Sequence, residues 1–444
     1  MSKDYDLKEN PSFCMLGLMH TYVNPDGNVL PCCRGDTTKQ ALGNINEVSD
    51  WTEIWNGERY KEFRRNMMAG EKNPTCSFCY DSEKFSEFST RKWRNMQFQE
   101  EYDEYIEKLL PSGEITTSKL KFMDFRFTNH CNQACITCGH SLSSSWYDFQ
   151  SKLGIGAIHP KFIEPKDDNI AYKMIDDNLD SVSHIYFAGG EPMLSKFHWY
   201  TLDKLVESGR SKEVDLVYST NCSTLNYHGK NVLEYWKEFK SVSIMASIDE
   251  VGERFNYIRW PGDWEKIYKN LRMIRESFDQ INAERNTHLH KLCYSPVISS
   301  LNVHRFKEIL VEFQEKQILQ ESLQYDIAFE FVFFENLLRT PKHLSILTIP
   351  DQHWSYVERI LDEFEEWYCK EFIKNSPVLE KKIEFVKQSI SKIKKMKELN
   401  QEDLNFYDQK NEHYNRLIQE YSKMDEVRGT DFNSTFPELG WLYK

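Results

Sequence analysis

The sequence predicts an α/β protein: a partial (β/α)6 barrel, with a small cysteine-rich domain ahead of it and a helical extension behind it. Two observations predict the barrel. From residue 119 onward apolar runs of strand length recur, and stretches of helical spacing separate them. A third observation predicts the small domain: five cysteines, at 14, 32, 33, 76 and 79, stand among turn-forming residues.

In chain order, residues 1–82 are short segments punctuated by Pro25-Asp26-Gly27-Asn28, Pro31 and Gly43-Asn44, each a turn signal. Residues 83–118 form a linker. Its charged stretch with spaced aromatics and leucines predicts a helix over 83–109, which Leu110-Pro111-Ser112-Gly113 breaks. Residues 119–340 hold the barrel, with strands expected over Leu120–Phe127, Ile185–Ala188, Leu216–Ser219, Val242–Ser247, Leu292–Ile298 and Phe329–Phe334. Ligands in such barrels gather where strands end and loops begin. Residues 341–444 read as helices near 351–375, 378–398 and 402–428. In the middle one, Ile383, Val386, Ile390 and Ile393 recur at helical spacing while lysines crowd the remaining positions. That pattern describes a solvated helix face or a docking face for an acidic partner.

Composition narrows the class. Of 444 residues, 40% are apolar and 28% charged, which fits a globular chain with a real core. A net charge of −13 argues against broad nucleic-acid binding, which needs a basic footprint. The start of the chain lacks a signal-peptide pattern and no run is long and apolar enough to span a membrane, so a cytoplasmic location is expected. Reduced thiols are the rule there, and the clustered cysteines point to metal sites. Cys222, Cys293 and Cys369 lie in strand or helix patterns and read as buried fillers.

Just past the first barrel strand, Cys131, Cys135 and Cys138 are spaced Cys-x3-Cys-x2-Cys. Three thiolates on one loop can ligate three irons of a 4Fe-4S cube and leave the fourth open to a chelating small molecule. A zinc site completed by His130 or His140 is the alternative. The triplet resembles that of the radical S-adenosylmethionine (SAM) superfamily, and the resemblance continues downstream. Gly189-Gly190-Glu191-Pro192, after the second strand, is similar to the family's methionine-binding segment. There the glycines allow close approach and the glutamate accepts hydrogen bonds from the ammonium. Ser219 and Asn221, and Ser247 and Asp249, resemble its ribose and carboxylate contacts. Arg259 resembles an arginine that pairs with the methionine carboxylate, and Val297 and Ile298 stand where the adenine is flanked. Thr137 departs from the family, which is usually aromatic there.

Cys14, Cys32, Cys76 and Cys79 resemble the ligands of the twitch module, a shortened relative of the SPASM domain, and Leu42-Gly43-Asn44-Ile45 and Glu53-Ile54-Trp55-Asn56 extend the likeness. Four thiolates can saturate a second 4Fe-4S cluster or a structural zinc, and Cys33 can stand in for Cys32. The module usually follows the barrel; here it precedes it.

The resemblance implies an enzyme that reductively cleaves S-adenosylmethionine to a 5′-deoxyadenosyl radical, with a flavodoxin or ferredoxin as electron donor. The expected outcome is net oxidative modification of a peptide or protein. The alternatives are oxidation of a small molecule such as an aminocyclitol, or a non-catalytic iron-sulfur or zinc protein in electron transfer.

Overall fold

The structure, a computed structural model, describes residues 10–84, 89–154, 160–318, 338, 342–372, 387, 388, 390, 391, 393–395 and 410–443. The chain divides into two compact units. Met1–His130, Phe162–Val217 and Glu238–Ser241 form the first; Cys131–Lys161, Tyr218–Lys237 and Val242–Lys444 form the second.

In the first unit, strands β1 (His20–Val23), β2 (Asn28–Leu30) and β3 (Gly43–Asn44) pair antiparallel in sequence. The Pro25–Asn28 signal is the turn between β1 and β2, where the Asn24 N–H donates to the Asn28 carbonyl at 3.0 Å. Gly27 has φ +81° there, and a Cβ on it would meet Asn46 Nδ2 at 2.4 Å, so only glycine fits. Strand β4 (Phe122–Phe125) is the first expected barrel strand, shorter than the apolar run that announced it. It pairs in parallel with β5 (His184–Phe187) on one side and with β1 on the other, Tyr22 standing opposite Asp124. The cysteine-rich segment thus adds a strand directly to the first barrel strand.

Among the described residues of 83–109 lie two helices, Thr90–Gln97 and Tyr102–Lys108, where one was expected. Ser89 Oγ accepts the Lys92 N–H and starts the first of them afresh. The Leu110–Gly113 turn is fastened to the helix Glu58–Met68: a Cβ on Gly113 would meet the Lys61 carbonyl oxygen at 2.1 Å. Arg64 of that helix is buried under the rings of Trp55 and Tyr60 and donates to the carbonyls of Gly17, Trp55 and Gly113.

Strand β6 (Asp215–Thr220) begins in the first unit, where the Asp215 N–H reaches the Ser183 carbonyl at 2.8 Å. The second unit holds its last residues, a small hairpin of β7 (Asn226–Tyr227) and β8 (Lys230–Asn231), and the parallel pair β9 (Ser241–Ala246) and β10 (His290–Tyr294). Between β9 and β10 runs the helix Trp264–Arg285. Asp263 caps it, and Trp264, Ile267, Leu271, Ile274, Phe278 and Ile281 form its buried stripe. The strand expected over Leu292–Ile298 ends at Tyr294 instead. Pro296 brings no N–H to a ladder, and the Val297 N–H is taken by the Asp249 carboxylate at 2.8 Å.

The expected strand Phe329–Phe334 lies outside the described residues. So does most of the expected helix 378–398; of its described part, Ile390 and Ile393 are buried and Lys387 and Lys395 exposed. The described C-terminal residues include the helices Asp351–Trp367 and Lys410–Arg428 and the short Phe432–Thr435. Tyr421, Met424, Phe432, Phe436 and Leu439 share a core with Tyr257, Ile258, Ala134 and Ile136. Parallel strands separated by helices and followed by helices give the α/β class that the sequence predicts for a partial barrel. No helix among the described residues is long and apolar enough to cross a membrane.

Candidate functional site

Cys131, Cys135 and Cys138 lie on a loop without regular secondary structure that follows β4. Its backbone is held by side chains and neighbouring loops. Ser145 Oγ donates to the Cys131 carbonyl at 2.7 Å, and Trp146 Nε1 donates to the Cys135 carbonyl at 3.0 Å. The amides of Ala134 and Ile136 donate to the carbonyls of Trp260 and Ile258 at 2.6 and 2.9 Å. Burial pushes the Cys135 thiol up to about 12, against the opposing pull of Arg259, and burial also raises Cys138. Thiols so desolvated ionise only beside positive charge, which a bound metal supplies. The loop therefore fits a metal-ligand set.

Arg259 and Asp249 meet beside it. Both are buried, Nε and Oδ2 stand 2.9 Å apart, and Arg259 Nη1 lies 3.9 Å from Cys135 Sγ. Burial disfavours the Arg259 charge, but Asp249 and Cys135 outweigh it and raise its pKa. Asn221 Nδ2 donates to Asn132 Oδ1 at 3.0 Å, which attaches the end of β6 to the cysteine loop. Ser247, just past β9, donates its N–H to the Thr220 carbonyl at 2.9 Å. Val297 presents its backbone to Asp249, and Ile298 is wholly buried.

The Gly189–Pro192 segment belongs to the first unit. A Cβ on Gly190 would sit 2.1 Å from the His130 carbonyl oxygen, and that carbonyl accepts the Glu191 N–H at 2.6 Å. The loop is thereby pinned to the residue that precedes Cys131 in the chain. Gly189, at φ +114°, lies against Arg126. Glu191 is buried, and its Oε1 accepts the Met193 N–H at 3.3 Å to cap the short helix Pro192–Leu194.

The N-terminal cysteines come from separate pieces: Cys14 before the helix Leu16–Met19, Cys32 after β2, Cys76 and Cys79 at the start of the helix Ser77–Glu83. Burial raises the Cys32 thiol first, and the proximity of Cys33, Cys79, Cys76 and Cys14 raises it further. Of the adjacent pair, Cys32 belongs with the other three, whereas Cys33 hydrogen-bonds Asp124 on β4 and interacts with Arg126. The helix Thr90–Gln97 secures the chain around Cys14: Asn95 bonds the Met15 N–H and the Phe13 carbonyl, and Arg91, paired with Glu83 at 2.6 Å, bonds the Phe13 carbonyl as well. Four thiolates can ligate the four irons of a cube or a single zinc.

Residues 125–288 match the family model of the radical SAM superfamily, and residues 14–80 match that of SPASM, an iron-sulfur cluster-binding domain. The chain is a radical SAM enzyme with an iron-sulfur SPASM domain. A search of curated proteins finds no match. The radical SAM domain implies a 4Fe-4S cluster with S-adenosylmethionine, and the SPASM domain a further iron-sulfur cluster. The SPASM match starts at Cys14 and ends one residue past Cys79; the radical SAM match encloses every candidate contact except Val297 and Ile298.

His130 meets the Phe162 ring edge-to-face and lies 3.8 Å from Glu164, and the His140 ring packs at a tilt against Tyr147. Cys222 and Cys293 are buried fillers, but Cys369 is only half-buried. Three elements of the radical SAM loop escaped sequence reasoning. Asn132 links Asn221 to Ser223, the Ser143–Trp146 run ties down the loop's carbonyls, and Arg428 reaches the loop from the far end of the chain. The serine run, close behind the triplet, was the one readable signal.

Proposed function

We propose that the enzyme cleaves S-adenosylmethionine at a cluster on Cys131, Cys135 and Cys138 and carries out a net oxidative modification of a peptide or protein. When bound, the cluster supplies the electron that breaks a carbon–sulfur bond of S-adenosylmethionine, and the resulting 5′-deoxyadenosyl radical takes a hydrogen atom from the substrate. Glu191 accepts hydrogen bonds from the methionine ammonium, and Gly189 and Gly190 let the backbone come close to it. Arg259, oriented by Asp249, faces the methionine carboxylate with its remaining donors. Ser219, Asn221 and Ser247 hold the ribose hydroxyls, and the backbone near Val297 and Ile298 borders the adenine.

One observation carries the oxidative reading. The four-cysteine group of the SPASM domain sits in the same compact unit as the first barrel strand, and β1 hydrogen-bonds directly to β4. Four thiolates, Cys14, Cys32, Cys76 and Cys79, leave no iron of a cube open to substrate, so the second centre suits electron acceptance. A substrate radical then becomes product by losing one electron and one proton. A flavodoxin or ferredoxin is the donor of the initiating electron.

The test replaces Cys76 and Cys79 by Ala and quantifies 5′-deoxyadenosine and dehydrogenated or cross-linked peptide separately, once a peptide that the wild-type chain modifies has been found by screening. Radical formation without product is the expected result. Normal product from a chain lacking the second cluster rules the oxidative role out.

A further inference from the structure

The helix Lys410–Arg428 ends on the cysteine loop. Arg428 Nη2 donates to the Ala134 carbonyl at 2.8 Å, and Nη1 lies 3.5 Å from the Tyr257 carbonyl. Its guanidinium stands 5.1 Å from the Phe149 ring centroid, 5.5 Å from Trp260 and 5.6 Å from Trp146. Ala134 precedes Cys135, Trp260 accepts the Ala134 N–H, and Trp146 holds the Cys135 carbonyl. Arg428 thus grips the loop directly and also lies against Trp146, whose ring N–H holds it, and Trp260, whose backbone carbonyl holds it. All of these residues belong to the second unit.

The two arginines near Cys135 differ in how their charge is balanced. Arg259 has the Asp249 carboxylate at 2.9 Å. Arg428 has carbonyl dipoles and aromatic faces, and among the described residues no carboxylate forms an ion pair with it. On the same helix Asp425, bonded by the Thr430 hydroxyl and the Phe432 N–H, acts on Arg428 electrostatically without forming a contact ion pair. Burial lowers the Arg428 pKa, yet a cation held by rings and carbonyls with no carboxylate in contact is less neutralised than Arg259, and its charge is felt at Cys135. A cluster on three thiolates becomes more negative on reduction, so a nearby cation with no carboxylate in contact favours its reduced form.

We propose that Arg428 is a positioning residue of the SAM-cleaving centre, clamping the Cys131–Cys138 loop and lending it a positive charge that no contacting carboxylate neutralises. The proposal rests on the assignment of those cysteines as cluster ligands, and it gives the C-terminal helices a part in the radical SAM site.

The experiment uses the full-length, anaerobically reconstituted chain. Redox titration is followed by electron paramagnetic resonance, and the barrel cluster is recognised as the signal that changes on adding S-adenosylmethionine. Arg428→Gln keeps an amide donor for Ala134 but no charge; Arg428→Lys keeps the charge. Arg428→Gln is expected to retain iron and sulfide while the midpoint of the responsive signal moves to more negative potential, with Arg428→Lys close to wild type. Selective loss of that signal in Arg428→Gln, with Arg428→Lys loaded, also supports the clamp. A common midpoint for all three proteins at full iron content overturns the proposal, as does an equal shift or equal loss in the two variants. Failure of the underlying assignment looks different: the responsive signal would survive Ala substitution of Cys131, Cys135 and Cys138 together.

Discussion

Glu191 serves the local fold as well as the proposed ligand, because its Oε1 accepts the Met193 N–H while the side chain is buried. Glu191→Ala loses a cap of about 1 kcal/mol and a charge-assisted bond of roughly 1.5 to 3 kcal/mol. S-adenosylmethionine affinity should fall about tenfold to a hundredfold. Glu191→Gln keeps an acceptor for Met193 and should unfold near the wild-type temperature, yet still bind S-adenosylmethionine more weakly. Calorimetric titration beside thermal unfolding separates the two; wild-type affinity in Glu191→Gln would move the ammonium elsewhere. The cysteines invite a count. Replacing Cys131, Cys135 and Cys138 by Ala should abolish formation of 5′-deoxyadenosine and lower iron and sulfide by about one cluster per chain, leaving the SPASM iron in place. Unchanged iron would sink the assignment.

At the scale of elements, the parallel β1–β4 junction carries its own pH sensitivity. His20 is buried against the Phe122 ring, with ring centroids 4.4 Å apart, and its Nδ1 stands 3.0 Å from the Phe122 carbonyl. Burial lowers its pKa to about 4, against the opposing influence of Asp124. The group is neutral in the folded state and protonates more readily when unfolded. Its stabilising share is therefore whole above the unfolded pKa near 6.5 and is lost as pH falls toward the folded value. Between pH 7 and 5 that loss is about 2 kcal/mol. His184 and His198, depressed to about 4 and about 3 by burial, act in the same direction. Thermal unfolding of His20→Gln should depend less steeply on pH than wild type over that interval, and an unaltered slope would remove His20 from the account. This junction also marks a limit of sequence reading. The turn at Gly27 is legible because φ +81° and a crowded Cβ position demand glycine, and the Gly190 loop is legible for the same steric reason. That His20–Val23 pairs with Phe122–Phe125 is a non-local choice, made by packing between segments about a hundred residues apart, and no local pattern encodes it. The end of β10 was misjudged because an apolar run continued past Pro296, whereas Asp249 claims the next amide.

For the molecule as a whole, the C-terminal helices bear on the chemistry in a way that periodicity could not disclose. The stripe legible in sequence runs from Ile383 to Ile393, whereas the residues that reach the cysteine loop lie further on, and their target is not encoded locally: Arg428 and Ala134 are 294 positions apart. Within the second unit, Tyr421, Met424, Phe432, Phe436 and Leu439 cover Tyr257 and Ile258, the carbonyl of Ile258 accepts the Ile136 N–H, and Ala134 and Ile136 sit between the cluster cysteines. A chain ending at residue 409 would bare that apolar patch and release one of the two arginines near Cys135. Each large side chain left exposed forfeits roughly 1.5 to 3 kcal/mol, a loss that a marginally stable unit does not absorb several times over. The truncated chain should therefore bind a hydrophobic dye, unfold at lower temperature and load less iron at the barrel site, while the SPASM cysteines, which belong to the first unit, retain theirs. Iron analysis of the truncation in a background with Cys76 and Cys79 replaced by Ala isolates the barrel cluster. Full loading there, with no dye binding, would mean that the cysteine loop needs nothing from the C-terminal helices.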